Sequence, residues 1–99
     1  MKVEVIHLAR EDLLEGFRFY EARETGLGSY FLDSLFSDID SLRFFGGIHR
    51  KAHNNLHRSL SKRFPFAIYY TVHEELIQVR AVIDCRRNPS WIRRRLGGT

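Results

Sequence analysis

Apolar positions change their spacing twice along the chain. From Val3 to Leu8 apolar and polar residues alternate and then turn apolar, which predicts a short first strand. Leu13, Phe17 and Tyr20, with Leu14 beside them, recur at spacings of three and four, so an amphipathic helix over about Arg10 to Glu24 follows. Glu11 and Asp12 complement its dipole, and Thr25-Gly26 stops it, because glycine adopts a left-handed conformation without a Cβ clash. A second stripe of Phe31, Leu35, Ile39 and Leu42 predicts a helix from Leu27 or Gly28 to Gly46-Gly47. The short link makes the two helices an antiparallel hairpin.

After a basic, polar loop through His53 the spacing falls to two. Phe64, Phe66, Ile68, Tyr70 and Val72 share one face of a strand, and Ile77, Val79, Ala81, Ile83 and Cys85 one face of the next. His73 to Leu76 is the turn between them. Pro65 belongs at a strand start or edge, having no amide for the ladder, and Pro89 opens a last helical turn with Trp91 and Ile92. The expected fold is α+β over residues 1–99 as one domain. A two-helix hairpin packs on one face of a small, mainly antiparallel four-stranded sheet in the order β-α-α-β-β-β, leaving the other face free.

Charge sharpens that picture. Residues 1–50 hold 6 Lys and Arg against 9 Asp and Glu, whereas residues 51–99 hold 10 against 3. The modest overall +4 hides a basic half suited to phosphates or an acidic protein partner. A lone cysteine, Cys85, excludes an internal disulfide, so a reducing cytoplasm is the expected compartment. The first residues lack the apolar core of a signal peptide, and no run approaches the ~20 apolar residues of a membrane span. His49, His53 and His57 recur every four residues, a metal-site spacing on a helix, but Asn54-Asn55 interrupts any helix and no carboxylate or cysteine lies close in sequence. No metal or cofactor is expected.

The series Asp12-Leu13, Phe19-Tyr20, Gly26-Leu27-Gly28 with Phe31, then Arg58, Phe64-Pro65-Phe66-Ala67-Ile68-Tyr69-Tyr70, Val82-Ile83 and Arg86-Arg87-Asn88-Pro89-Ser90-Trp91 resembles the RelE/ParE superfamily of toxins. It spans roughly residues 3–95. The resemblance implies a RelE/ParE-like fold and the toxin role in a type II toxin–antitoxin, or plasmid stabilisation, system. It also implies neutralisation by a small cognate antitoxin, with operator DNA met only through that antitoxin. Two modes share the scaffold: ParE-like poisoning of DNA gyrase without chemistry, and RelE-like, metal-independent cutting of ribosome-bound mRNA. The cutting branch carries an arginine in mid-strand where this chain has Ala67, which favours the gyrase mode. A third reading is an inactive toxin serving only in antitoxin binding and operon control.

Cutting RNA without metal requires a base for the 2′-OH, cations for the developing phosphorane charge and an acid for the leaving oxygen. Candidates for those roles are Arg58, Arg87, His57 and His73. Strand parity assigns Tyr69, with Ala67, Thr71 and His73, to the open face, and Gln78, Arg80, Val82, Asp84 and Arg86 likewise on the neighbouring strand. Arg58, Tyr69, Arg80, Arg86, Arg87 and Trp91 form the expected target surface, and Arg86, Arg87, Arg93, Arg94 and Arg95 the antitoxin surface. Arg58, in phase with Leu56 and Leu60, is either a target contact or one half of an ion pair with Asp84 or Glu75.

Overall fold

The computed structural model describes residues 1–97. In chain order the elements are β1 (Lys2–Val5), α1 (His7–Arg23), α2 (Leu27–Phe45), β2 (Lys51–His53), β3 (Leu56–Leu60), β4 (Phe66–His73), β5 (Leu76–Asp84) and α3 (Pro89–Gly97). The sheet has five strands in the order β1-β5-β4-β3-β2. β1 runs parallel to β5, and the other pairs are antiparallel. The α+β fold with its helical hairpin is therefore as the periodicity predicts, with one strand more. The extra strand, β2, falls in the basic segment that reads as loop, because three residues are too few to display a period.

The first strand ends at Val5 and α1 starts at His7, earlier than the alternation suggests. Ala9, Leu13, Gly16 and Tyr20 form the buried stripe of α1, while Leu14 stays 42% exposed. Gly16 is needed for close helix approach: a Cβ there would lie 2.5 Å from the Phe31 ring. Between the helices Gly26 takes φ +92°, and Glu21 accepts from the amides of Gly26 and Gly28 at 2.9 to 3.1 Å, satisfying donors that α2's first turn leaves open. Asp38, buried in α2, accepts from Ser61 Oγ at 2.7 Å and from the Lys62 amide at 3.2 Å, fixing the β3–β4 loop to the helix.

Phe66, Ile68, Tyr70, Ile77 and Val79 pack against the hairpin with Leu13, Tyr20, Phe31, Leu35, Ile39 and Leu42. Phe64 joins this core from just before β4. The expected parity holds along β4 and fails halfway along β5. Tyr69 pairs with Ala81 but Tyr70 with Val79, so β5 carries one extra residue at Arg80. A bulge of this kind exchanges the faces of everything beyond it. Val82 thus enters the hairpin core, whereas Ala81 and Ile83, expected there, lie on the opposite face.

That opposite face is covered rather than free. Leu96 of α3 is buried on Leu56, Ala67, Tyr69, Ala81 and Ile83, with Trp91, Ile92 and Cys85 at the margin. The helix runs over nine residues where one turn is expected, since the arginines that read as a solvated tail leave Trp91, Ile92 and Leu96 to face the sheet. None of the described helices is long and apolar enough to cross a membrane.

Candidate interaction groove

β1 pairs only with Leu76–Val79, so beyond Val79 the edge of β5 has no strand neighbour. There α1 on one side and the start of α3 on the other bound a groove of about 420 Å³. Gly16, Phe19, Phe66 and Val82 supply apolar lining, Asp12, Glu15 and Asp84 the acidic groups, and Arg86, Arg87 and Trp91 the basic and aromatic rim.

Each arginine of the rim is held by a carboxylate. Arg86 forks onto Asp84 through Nε at 2.9 Å and Nη2 at 2.7 Å, and Nη2 also donates to the Tyr20 hydroxyl at 3.3 Å. Arg87 donates to Glu15 at 2.9 Å and lies 4.1 Å over the Trp91 ring, a cation–π geometry. Hydrogen bonding from Arg86 holds the Asp84 carboxyl below its ordinary value, and Asp84 in turn raises the Arg86 guanidinium above its own. Under the rim, Arg95 donates to Asp12 at 2.7 Å, with side-chain exposures of only 15% and 12%. Asp12 also accepts from the Val82 amide at 2.9 Å, and Arg95 donates to the Arg80 carbonyl at 3.4 Å. Burial pushes the Asp12 carboxyl above its ordinary value, against the pull of the Val82 amide and Arg95.

The expected site residues therefore part company. Arg86, Arg87 and Trp91 come together at the groove, and Arg93 and Arg94 are exposed on α3. Arg95, expected beside them on the antitoxin surface, is half of an interior ion pair instead. Tyr69, expected on an open face, is 5% exposed beneath α3. Arg80 is half-buried at the bulge and donates to Gln78 Oε1 at 3.2 Å. Arg58 meets neither Asp84 nor Glu75: its Nε donates to the Tyr69 hydroxyl at 3.2 Å, and its Nη2 lies 3.6 Å from Cys85 Sγ. The Tyr69 bond raises the Arg58 guanidinium above its ordinary value.

The histidines do not join Arg58. His57 pairs with Tyr70 on the other face and stacks on its ring at 5.1 Å, while Arg58 pairs with Tyr69. His73 sits at the exposed end of β4, 3.8 Å from Glu74. His49 lies in the loop after α2, 2.6 Å from the Tyr70 hydroxyl, and His53 lies in β2, so the spacing of four is not a helical one. Tyr70 is fully buried, as its parity predicts, and burial raises its phenol above the ordinary value. Among the described residues no three His, Cys, Asp or Glu side chains gather as a metal site requires.

Asp12, read from the sequence as a complement to the helix dipole and as a member of the residue series, lies past the first turn of α1, which holds no acidic residue, and instead anchors the groove. Its signal is faint: an acid three residues after the buried Ala9 and one before the buried Leu13.

No family model matches the sequence, and no curated protein matches it. The fold, in contrast, is similar to that of a solved chain described as "Chromosomal ParDE TA system from P. aeruginosa", with a TM-score of 0.76. The superposition covers 85% of this chain and 95% of that one, at 16% identity. The fold is thus shared with a chain of a ParDE system, in keeping with the α+β hairpin-on-sheet architecture expected of the sequence.

Proposed function

We propose that this chain is the toxin half of a type II toxin–antitoxin pair, that it acts in the ParE-like mode by holding DNA gyrase without doing chemistry itself, and that a cognate antitoxin neutralises it. The shared fold with a chain of a ParDE system supports the toxin role. The observation that carries the mode is the company Arg58 keeps. Its side-chain partners are a buried phenol and a thiol. His57 belongs to the opposite face, and His73 stands four residues along β4 from Tyr69, about 13 Å away at the usual strand rise. Arg58 can bind a phosphate, but the phenol beside it is only 5% exposed beneath α3, and a ribose brought there meets, among the described residues, no exposed imidazole or carboxylate to take its 2′-OH proton.

Arg86, Arg87 and Trp91 at the groove, with Arg93 and Arg94 nearby on α3, are the surface we assign to target and antitoxin. An acidic antitoxin segment would compete with Glu15 and Asp84 for the first two. Induction in a sensitive host, followed by mapping of mRNA 5′ ends and scoring of the DNA-damage response, tests the reading. Growth arrest with DNA damage and no codon-phased cuts is the expected result. Abundant codon-phased cuts within minutes of induction would replace the gyrase mode with the ribosome-dependent one.

A further inference from the structure

Among the described residues the sheet edge is open on the outer side of β1, on the outer side of β2, at Ser59 and Leu60 of β3 and along β5 beyond Val79, and the β1 edge is the one fit to receive another strand. The outer edge of β2 is only three residues long, starts at Lys51 and carries a break in its register with β3, too short and irregular a template for another strand. The distal edge of β5 is already plugged by side chains, Asp12 taking the Val82 amide and Arg95 reaching the Arg80 carbonyl. The outer edge of β1 has no such plug. Lys2 and Ile6 donate their amides to Glu75 and Val79 at 2.9 and 3.1 Å, so the backbone groups of Val3 and Val5, alternating with these, point outward. Among the described residues nothing bonds them.

We propose that β1 pairs antiparallel with β1 of a second copy of this chain, joining two sheets across a two-fold axis at Val3. The charge pattern selects both the partner and the register. With Val3 opposite Val3 of the second copy, Lys2 faces the other copy's Glu4, and the symmetry makes the pair twice. Both side chains are exposed. The neighbouring register, Val3 against Val5, sets Glu4 against Glu4 and is disfavoured by like charge. The helical layer agrees with this choice. Phe36, Asp40 and Arg43 of α2 border a groove of about 320 Å³ with Val3 and Val5, and Phe44 lies on the same helix face. Phe36 is 46% exposed and Phe44 77%, and a two-fold normal to the sheet brings the two copies of α2 to the same side, where these rings are covered.

Sedimentation equilibrium of the purified full chain up to about 100 μM tests the proposal, with Lys2→Glu, the Lys2→Glu/Glu4→Lys swap and Val3→Pro as variants. The parent is expected at twice the 11.7 kDa of one chain. Lys2→Glu should weaken association about tenfold, since two attractive cross-strand pairs become repulsive, and the swap should restore it. Val3→Pro should abolish it with an unchanged circular dichroism spectrum, because the lost amide points away from β5. A parent that stays monomeric overturns the proposal. So does a dimer indifferent to Lys2→Glu, which would use another surface, or a swap that fails to restore association. None of these outcomes bears on toxicity, so the toxin reading stands or falls separately.

Discussion

On the hairpin side of the sheet Tyr20, Phe31, Phe64 and Phe66 lock ring against ring with centroids 4.9 to 6.3 Å apart, whereas on the α3 side the cover is one buried leucine with Trp91 and Ile92 half-buried beside it, tied to α1 by ion pairs from Arg95 of α3 and from Arg87 just before it. A nine-residue helix is too short to persist alone in water, so α3 owes its helicity to docking. The hairpin side supplies the bulk of the stability. The α3 side presents the groove and its arginines, in a region whose attachment depends on charge.

The largest effect belongs to the ring cluster. Phe31→Ala empties a fully buried site touching Tyr20, Phe64 and Phe66 and should cost about 3–5 kcal/mol, read as a lower denaturant midpoint for the whole chain. A loss confined to α3 signals would break the contrast between the two faces.

Next stands the interior ion pair. Asp12→Ala strands Arg95 and the Val82 amide and should cost roughly 3 kcal/mol, the order found when one partner of a buried pair is removed. Because this pair ties α3 and the β5 edge to α1, hydrogen exchange should rise first in α3 and in residues 80–84. Equal acceleration across the hairpin would show that the faces are not separable.

These two expectations mark how far the sequence is legible. Long apolar stripes made α1, α2 and β4 readable, and the ordered residue series pointed to the architecture. The face assignment of Ala81, Val82 and Ile83 was not readable, because a single extra residue at Arg80 reverses parity without changing composition. Nor was Arg95: adjacent arginines look alike in a string, yet helical geometry turns Arg93 and Arg94 to solvent and Arg95 inward to a carboxylate 83 positions away. Arg58, in phase with Leu56 and Leu60, reads as a target contact or as the partner of a carboxylate, Asp84 or Glu75. A phenol and a thiol, closer in the folded sheet, take that place.

Arg58→Ala tests that substitution of partners. It leaves the 5%-exposed Tyr69 hydroxyl without its donor and should cost about 1–2 kcal/mol, seen as a lower melting temperature. A variant that melts like the parent yet abolishes toxicity would move Arg58 from the scaffold into the binding site.

Acid should act on the rim. Arg86 holds the folded-state pKa of Asp84 below its unfolded value, so this carboxylate adds stability at pH values above the unfolded one, near 3.9. That contribution is lost as pH falls through the folded value. Asp84→Asn should therefore lower the stability at neutral pH and flatten the acid limb, the variant and parent profiles converging as pH falls through the folded value. An unchanged acid limb would mean that the Arg86 fork opens in solution.

The smallest stability effect and the clearest functional one should coincide at Arg87. Its side chain is 40% exposed and its Glu15 partner 64%, so solvent screens the pair and Arg87→Ala should cost only a few tenths of a kcal/mol. The substitution nevertheless strips the groove of a guanidinium set over the Trp91 ring, a placement that matches an incoming carboxylate or phosphate as well as it matches Glu15. Growth curves on induction, beside thermal melts of the purified variant, read both quantities. Relief of toxicity at an unchanged melting temperature is expected, opposite to the stability loss at Asp12. A stable Arg87→Ala variant as toxic as the parent would take Arg87 out of the target surface.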